Sequence, residues 1–148
     1  MFKDVLSNFF GWTASFLSVV FFILPGKLIW NLVNKKQDSS TVPYLVFVTT
    51  ALNSYLWTNY GLKMNLSQVW VCNLFGSFIS TFLIVVFCIH IVDYDIKNSA
   101  IVTFAIIGGA ILINYYLYTY IPTGLIGFIA MIITACMWAS PSQKIVNI

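Results

Sequence analysis

The fold is decided by the stretch TTALNSYLWTNYGLKMNLSQVWVCNLFGSFIST, residues Thr49 to Thr81, in which a short polar loop separates two apolar segments. Polar and aromatic residues recur in each segment at helical spacing, which keeps them near one helical face. In the first segment they are Thr50, Asn53, Trp57, Tyr60 and Gly61. In the second they are Asn73, Gly76, Ser77 and Ser80. An amide in a membrane helix must find a hydrogen-bond partner or face a wet cavity, because hydrocarbon offers it no hydrogen bond. This pattern therefore predicts two paired membrane helices that line a path for a small polar molecule.

The composition places the chain in a membrane. Of its 148 residues, 60% are hydrophobic and 7% are charged, and the mean hydropathy is +0.92. Soluble domains carry about 25% charged residues. One membrane crossing needs about 20 apolar residues. The apolar runs therefore predict an all-α integral membrane protein with five spans, at about 7–29, 42–62, 66–91, 99–118 and 125–139.

The charges predict the orientation. The formal net charge is +3, and the basic residues lie near the predicted helix ends, which indicates membrane topology and not nucleic-acid binding. With the N-terminus outside, the inner side would hold Lys27, Lys35, Lys36, Lys97 and Lys144. The outer side would hold only Lys3 and Lys63, so this orientation is favoured. Asn65 begins a glycosylation sequon that would lie outside, but it is so close to the membrane that a plain loop residue is expected.

The predicted spans offer no catalytic chemistry. They contain no carboxylate, no nucleophile paired with a base and no cluster of metal ligands, so we expect neither an enzyme nor a cofactor. Cys72, Cys88 and Cys136 lie within apolar runs, and their odd number and wide spacing disfavour a disulfide framework. They are expected to pack as small apolar groups. Without an acidic residue in the membrane, ion coupling lacks its usual carrier, which favours facilitated diffusion.

An internal repeat relates residues 11–33 to residues 127–148 without gaps. The matched pairs include Gly11 with Gly127, Pro25 with Pro141 and Asn31 with Asn147. Parallel repeats about an axis along the membrane normal are one known transporter plan. We therefore predict a three-helix bundle at 7–91, a linker with an inverting fourth helix at 92–119, and a fifth helix at 120–148 that starts a second, incomplete repeat.

These elements resemble the SWEET (MtN3/saliva) family of sugar transporters, and the animal branch is the most similar. The elements that carry the resemblance are Trp57-x-x-Tyr60-Gly61, Asn73-x-x-Gly76 and the tail Met137 to Pro141. Membership implies two three-helix bundles joined by a linker helix, which move mono- or disaccharides down their gradient by alternating access. It also implies that this chain is truncated after the fifth helix and lacks the last two.

The resemblance implies that Asn73 contacts the sugar and that Trp57 lies beside it. An amide offers both a donor and an acceptor, and an indole offers an apolar plate, which together suit a sugar. Asn73 could instead join two helices, and Trp57 could belong to an interfacial aromatic belt. Asn53, one turn before Trp57, is either a pocket-lining or a structural residue.

The resemblance further assigns moving parts. Tyr60 and Gly61 would form the outer gate, and Pro25 and Pro141 would be hinges. From the residues alone, Pro25 should kink or break the first helix, because proline lacks a backbone donor. The two prolines could also be static helix breakers.

The expected partners are a sugar of the glucose or sucrose class and the lipid bilayer, in the plasma membrane or alternatively the Golgi or another endomembrane. A second hypothesis is a non-transporting, truncated membrane partner that oligomerises with itself or with a full-length relative. A third is an amino-acid exporter or sorting receptor of the wider three-helix-repeat class. This third option is disfavoured, because Pro25 and Pro141 are followed by Gly26 and Ser142 where those relatives have glutamine.

Overall fold

The computed structural model describes residues 2–36, 42, 44–90 and 94–139. Within these ranges, every regular element is an α-helix, which confirms the all-α fold. The helices are α1 (Phe2–Ile23), α2 (Gly26–Val33), α3 (Tyr44–Lys63), α4 (Ser67–His90), α5 (Tyr94–Leu117) and α6 (Thr123–Ala139).

The first predicted span is broken at Pro25, as expected. α1 ends at Ile23 and α2 begins at Gly26, with a turn between them. The turn is closed by hydrogen bonds from the Leu28 amide to the Pro25 carbonyl (3.0 Å) and from the Lys27 amide to the Leu24 carbonyl (3.2 Å). Whether this break acts as a hinge stays a prediction. The matching Pro141 lies outside the described residues.

The fourth helix begins earlier than predicted. We expected the fourth span to begin at about residue 99, but α5 already begins at Tyr94. Asp95 lies in its first turn. A carboxylate there is stabilised by the positive end of the helix dipole, so a polar sequence can still begin a helix. Hydropathy located the apolar part of this helix and missed its polar start.

The centre of the molecule is the pair α3 and α4, which the short loop at residues 64–66 folds back on each other. α1 packs against α4, and α6 packs against α3. α3 and α4 approach closely at Gly61, where an added Cβ would lie 2.7 Å from the backbone nitrogen of Trp70. The main buried cluster lies toward the Pro25 end and comprises Ile29, Leu32, Val42, Phe47, Val48, Ala51, Leu83, Ile84 and Phe87.

Two helical segments among the described residues are long and apolar enough to cross a membrane by length and composition. They are Val5–Val33, which includes the turn at Pro25, and Ser67–His90. A shorter apolar helix covers Thr123–Met137. α3 carries more polar side chains than these segments, and they lower its average hydropathy. Asn53 and Asn59 are among them, and both are buried.

Lys63, at the end of α3, ties the α5–α6 connection to the bundle. Its ammonium group donates to the carbonyl of Ile121 and lies 4.6 Å from the ring centroid of Tyr118. Lys63→Met should lower the free energy of unfolding in detergent by about 1–2 kcal/mol, because it removes a charged hydrogen bond and a cation–π contact. Lys27→Met, which alters an exposed lysine in α2, is the matched control. Equal effects of the two changes would contradict this role of Lys63.

Candidate functional site

A cleft of about 450 Å³ lies between α1, α3, α4 and α6. Pockets for small molecules typically measure about 300–1,000 Å³. None of the described side chains that line it is charged, so the cleft suits a neutral ligand better than an ion. The lining residues are Leu17, Ser18, Phe21, Phe22, Asn53, Trp57, Asn73, Thr134 and Met137.

Asn73 contributes an acceptor to the cleft. Its side-chain Nδ2 donates to the carbonyl of Val69, one turn back on α4, at 2.9 Å, and approaches the sulfur of Cys72 at 3.5 Å. No donor among the described residues reaches its Oδ1. Since the carbonyl oxygen of an amide can accept two hydrogen bonds, this oxygen is available to a ligand in the cleft.

Asn53 and Trp57, one turn apart on α3, are joined by Thr134 of α6. The Thr134 hydroxyl lies 2.8 Å from Asn53 Oδ1, to which it donates, and accepts from Trp57 Nε1 at 3.2 Å. It also lies 2.8 Å from the carbonyl of Ala130, and its single proton serves one of these two acceptors at a time. No acceptor among the described residues reaches Asn53 Nδ2. Asn53 therefore presents a donor where Asn73 presents an acceptor.

Thr134 was not among the residues predicted from the sequence, although a signal for it was present. The gapless repeat that matches the prolines also pairs Ser18 with Thr134 and Phe21 with Met137. All four of these residues line the cleft. Corresponding positions of α1 and α6 therefore lie around one space, and extending the repeat to its polar positions would have found them.

The two residues assigned to the gate do not line the cleft. Gly61 lies in the α3–α4 contact, where it allows the backbones to approach closely. Tyr60 packs against Gly127 of α6, and its ring lies edge-on to that of Trp57 with 5.4 Å between the centroids. A gate at Tyr60 and Gly61 stays a prediction, as do the sugar contacts of Asn53, Trp57 and Asn73.

Thr134→Val should loosen the wall that α3 and α6 form together. The change removes the hydroxyl and nearly preserves the shape, so it leaves the half-buried Trp57 N–H and the Oδ1 of the buried Asn53 without this partner. We expect the free energy of unfolding in detergent to fall by about 1–3 kcal/mol. Thr134→Ser, which keeps the hydroxyl, should lose less than half of that. If the valine variant is as stable as the serine variant, these hydrogen bonds do not hold the wall.

Comparison with known proteins agrees with the resemblance noted from the motifs. The model of a family described as "Sugar efflux transporter for intercellular exchange" matches residues 8–93, which are 86 of the 148 residues. The chain is also similar to "Sugar transporter SWEET1" of Dictyostelium discoideum. The two are 27% identical over an alignment of 151 residues, which takes in 96% of this chain and 67% of the relative. No solved structure matches the chain significantly.

The family match includes most of α1 and all of α2 to α4, and with them Asn53, Trp57 and Asn73, whereas Thr134 lies beyond it. Members of this family are transporters and not enzymes. This agrees with the predicted spans, whose sequence contains no set of catalytic groups. The branch of the family stays a prediction. Since the match covers more than half of the sequence, the chain belongs to the MtN3/saliva, or SWEET, family of sugar transporters, and it is a helical membrane protein.

Proposed function

We propose that this chain carries a mono- or disaccharide of the glucose or sucrose class across a membrane, down its gradient, through the cleft between α1, α3, α4 and α6. One observation carries the proposal. An uncharged cleft presents an available acceptor on Asn73 and an available donor on Asn53, beside the indole of Trp57. Sugars have hydroxyls around the ring and a less polar face, and this set of groups suits both.

In this mechanism one sugar hydroxyl donates to Asn73 Oδ1 and another accepts from Asn53 Nδ2. The indole of Trp57 stacks on the less polar face, and its N–H is already satisfied by Thr134, which fixes the ring. The two bundles then rock about the bound sugar to open one side at a time, with Pro25 and Pro141 as hinges. With no carboxylate among the cleft residues, the sugar gradient supplies the driving force.

The test is uptake by the purified chain in proteoliposomes. Labelled glucose and labelled sucrose are supplied separately, and uptake of at least one should saturate and be competed by the same unlabelled sugar. Uptake should not depend on an imposed proton or sodium gradient. Linear, non-competed uptake of both sugars would contradict the proposal. Competition by cystine or basic amino acids would favour the exporter class instead.

A non-transporting role through pairing is the second candidate, and one observation favours it. On the α1 side of the cleft, Leu17 is 62% exposed and Phe21 is 50% exposed, so a second copy or a longer relative can cover this apolar edge. The chain would then act as a membrane partner that pairs with itself or with a full-length relative. Crosslinking in membranes tests it, and recovery of monomer alone, with no effect on a co-expressed relative, would contradict it.

The proposed setting is the plasma membrane with the N-terminus outside, as the lysine distribution favours. An epitope added before Met1 should be accessible to antibody in intact cells. If the epitope is accessible only after permeabilisation, the orientation is reversed or the protein is in an endomembrane. Surface biotinylation separates these two outcomes.

A further inference from the structure

A second, smaller cavity lies next to the cleft, toward the Pro25 end of the bundle, and we call it the inner cavity. Its volume is about 110 Å³, below the roughly 300 Å³ at which small-molecule pockets begin. It shares three residues with the cleft, Phe21, Phe22 and Met137, and these side chains separate the two spaces. Its remaining lining residues are Pro25, Val46, Phe47, Thr50, Ser80 and Leu83.

Of these three side chains, Phe22 packs into a notch on α4 at Gly76. A Cβ added to Gly76 would lie 2.6 Å from Phe22 Cζ and 2.7 Å from Cδ2, so the ring occupies the place that any other side chain would take. Gly76 is buried and lies one turn after Asn73 on α4. The Asn73-x-x-Gly76 element therefore combines a polar group in the cleft with a notch for an aromatic ring.

The position of Phe22 along α1 links this ring to the helix break. α1 ends at Ile23, the next residue, and the turn at Pro25 follows. A change in the direction of α1 at this turn would move the ring out of its notch. Two hydroxyls, of Thr50 and Ser80, line the cavity beyond, and Ser80 is only 3% exposed.

We propose that Phe22, seated against Gly76, is a gate that closes the path between the cleft and the inner cavity. With the ring in its notch, a ligand in the cleft cannot move toward the Pro25 end. When the ring leaves the notch, the two spaces join and the hydroxyls of Thr50 and Ser80 meet the ligand. This inference rests on the proposed transport, because a gate has a function only on a path.

The first experiment needs no transport. Ser80→Cys is introduced after Cys72, Cys88 and Cys136 have been changed to alanine, and a small water-soluble thiol reagent is applied to the chain in proteoliposomes. Adding Phe22→Ala should raise the modification rate by about tenfold or more, because reactivity follows access to the thiol. The control is Phe16→Ala, which truncates an exposed ring on the same helix and should change nothing. Equal rates with and without Phe22→Ala would overturn the gate.

The second experiment uses the notch itself. Gly76→Ala fills the notch and holds the Phe22 ring out of it, because an added Cβ would lie 2.6 Å from Phe22 Cζ. The thiol of Ser80→Cys should therefore be modified about tenfold faster than with Gly76 in place, as it is with Phe22→Ala. Combining Gly76→Ala with Phe22→Ala should bring little further increase, because the ring closes the path in neither variant. An unchanged modification rate in the Gly76 variant, with the protein folded by thermal melting, would overturn the gate.

The two readouts separate the gate from the transport on which it rests. If Phe22→Ala accelerates thiol modification but no variant takes up sugar, the gate stands and the proposed function fails. If uptake saturates normally while thiol modification is unchanged, the function stands and the gate fails.

Discussion

Asn73→Ala should lower sugar uptake at low concentration by about tenfold, because one hydrogen bond to a ligand contributes up to about 1.5 kcal/mol and 1.4 kcal/mol corresponds to a factor of ten. The change removes Oδ1, which no donor among the described residues reaches, and also the bond from Nδ2 to the Val69 carbonyl. That second loss concerns one turn of α4 and should change stability little. Uptake in proteoliposomes and thermal melting in detergent measure the two effects separately.

Asn59→Ala is the matched control for this change. Asn59 Nδ2 donates to the Tyr55 carbonyl, one turn back on α3, at 3.0 Å, as Asn73 does on α4. Asn59 is buried and does not line the cleft. If Asn73 only supports helix packing, the two alanine variants should lose uptake together, and that result would remove Asn73 from the binding site. Loss in the Asn73 variant alone supports the sugar contact.

Gly61→Ala should be the most destabilising single change of those described. The added methyl group would lie 2.7 Å from the backbone nitrogen of Trp70 and 3.0 Å from its Cβ. Backbone cannot turn aside as a flexible side chain can, so α3 and α4 must separate where they meet beside the loop at residues 64–66. Overpacking of this kind costs about 1–3 kcal/mol, and more where backbone must move. Chemical or thermal unfolding of the purified chain measures it.

The control for Gly61→Ala is a glycine-to-alanine change that should raise the free energy of unfolding instead of lowering it. Gly108→Ala places a methyl group in α5 where, among the described residues, nothing outside the local helix backbone lies within 4 Å. Alanine is favoured over glycine within a helix by about 0.5–1 kcal/mol, so this variant should be slightly more stable. A Gly61 variant that keeps its stability but loses transport would contradict the packing role and favour the outer gate that the resemblance implies.

Local properties of the sequence were enough to predict the class of the protein and its helices. Low charge and long apolar runs indicated a membrane protein, and the spacing in Thr49–Thr81 indicated the α3–α4 pair. Pro25 broke its helix as expected, because the missing donor acts within its own turn. The start of α5 was missed for the opposite reason, since hydropathy does not register a polar first turn such as the one at Asp95.

The candidate site was only partly predictable. Helical period indicates which residues share a face, but not which neighbouring helix meets that face. The structure brings Asn53, Trp57 and Asn73 to one cleft.

Only the tertiary structure shows that Thr134 of α6 forms hydrogen bonds with Asn53 and Trp57 of α3. It also gave the two glycines of the motifs different neighbours, backbone for Gly61 and an aromatic ring for Gly76. Such contacts depend on how far each helix is rotated and shifted against the next, and packing across the whole bundle sets those values.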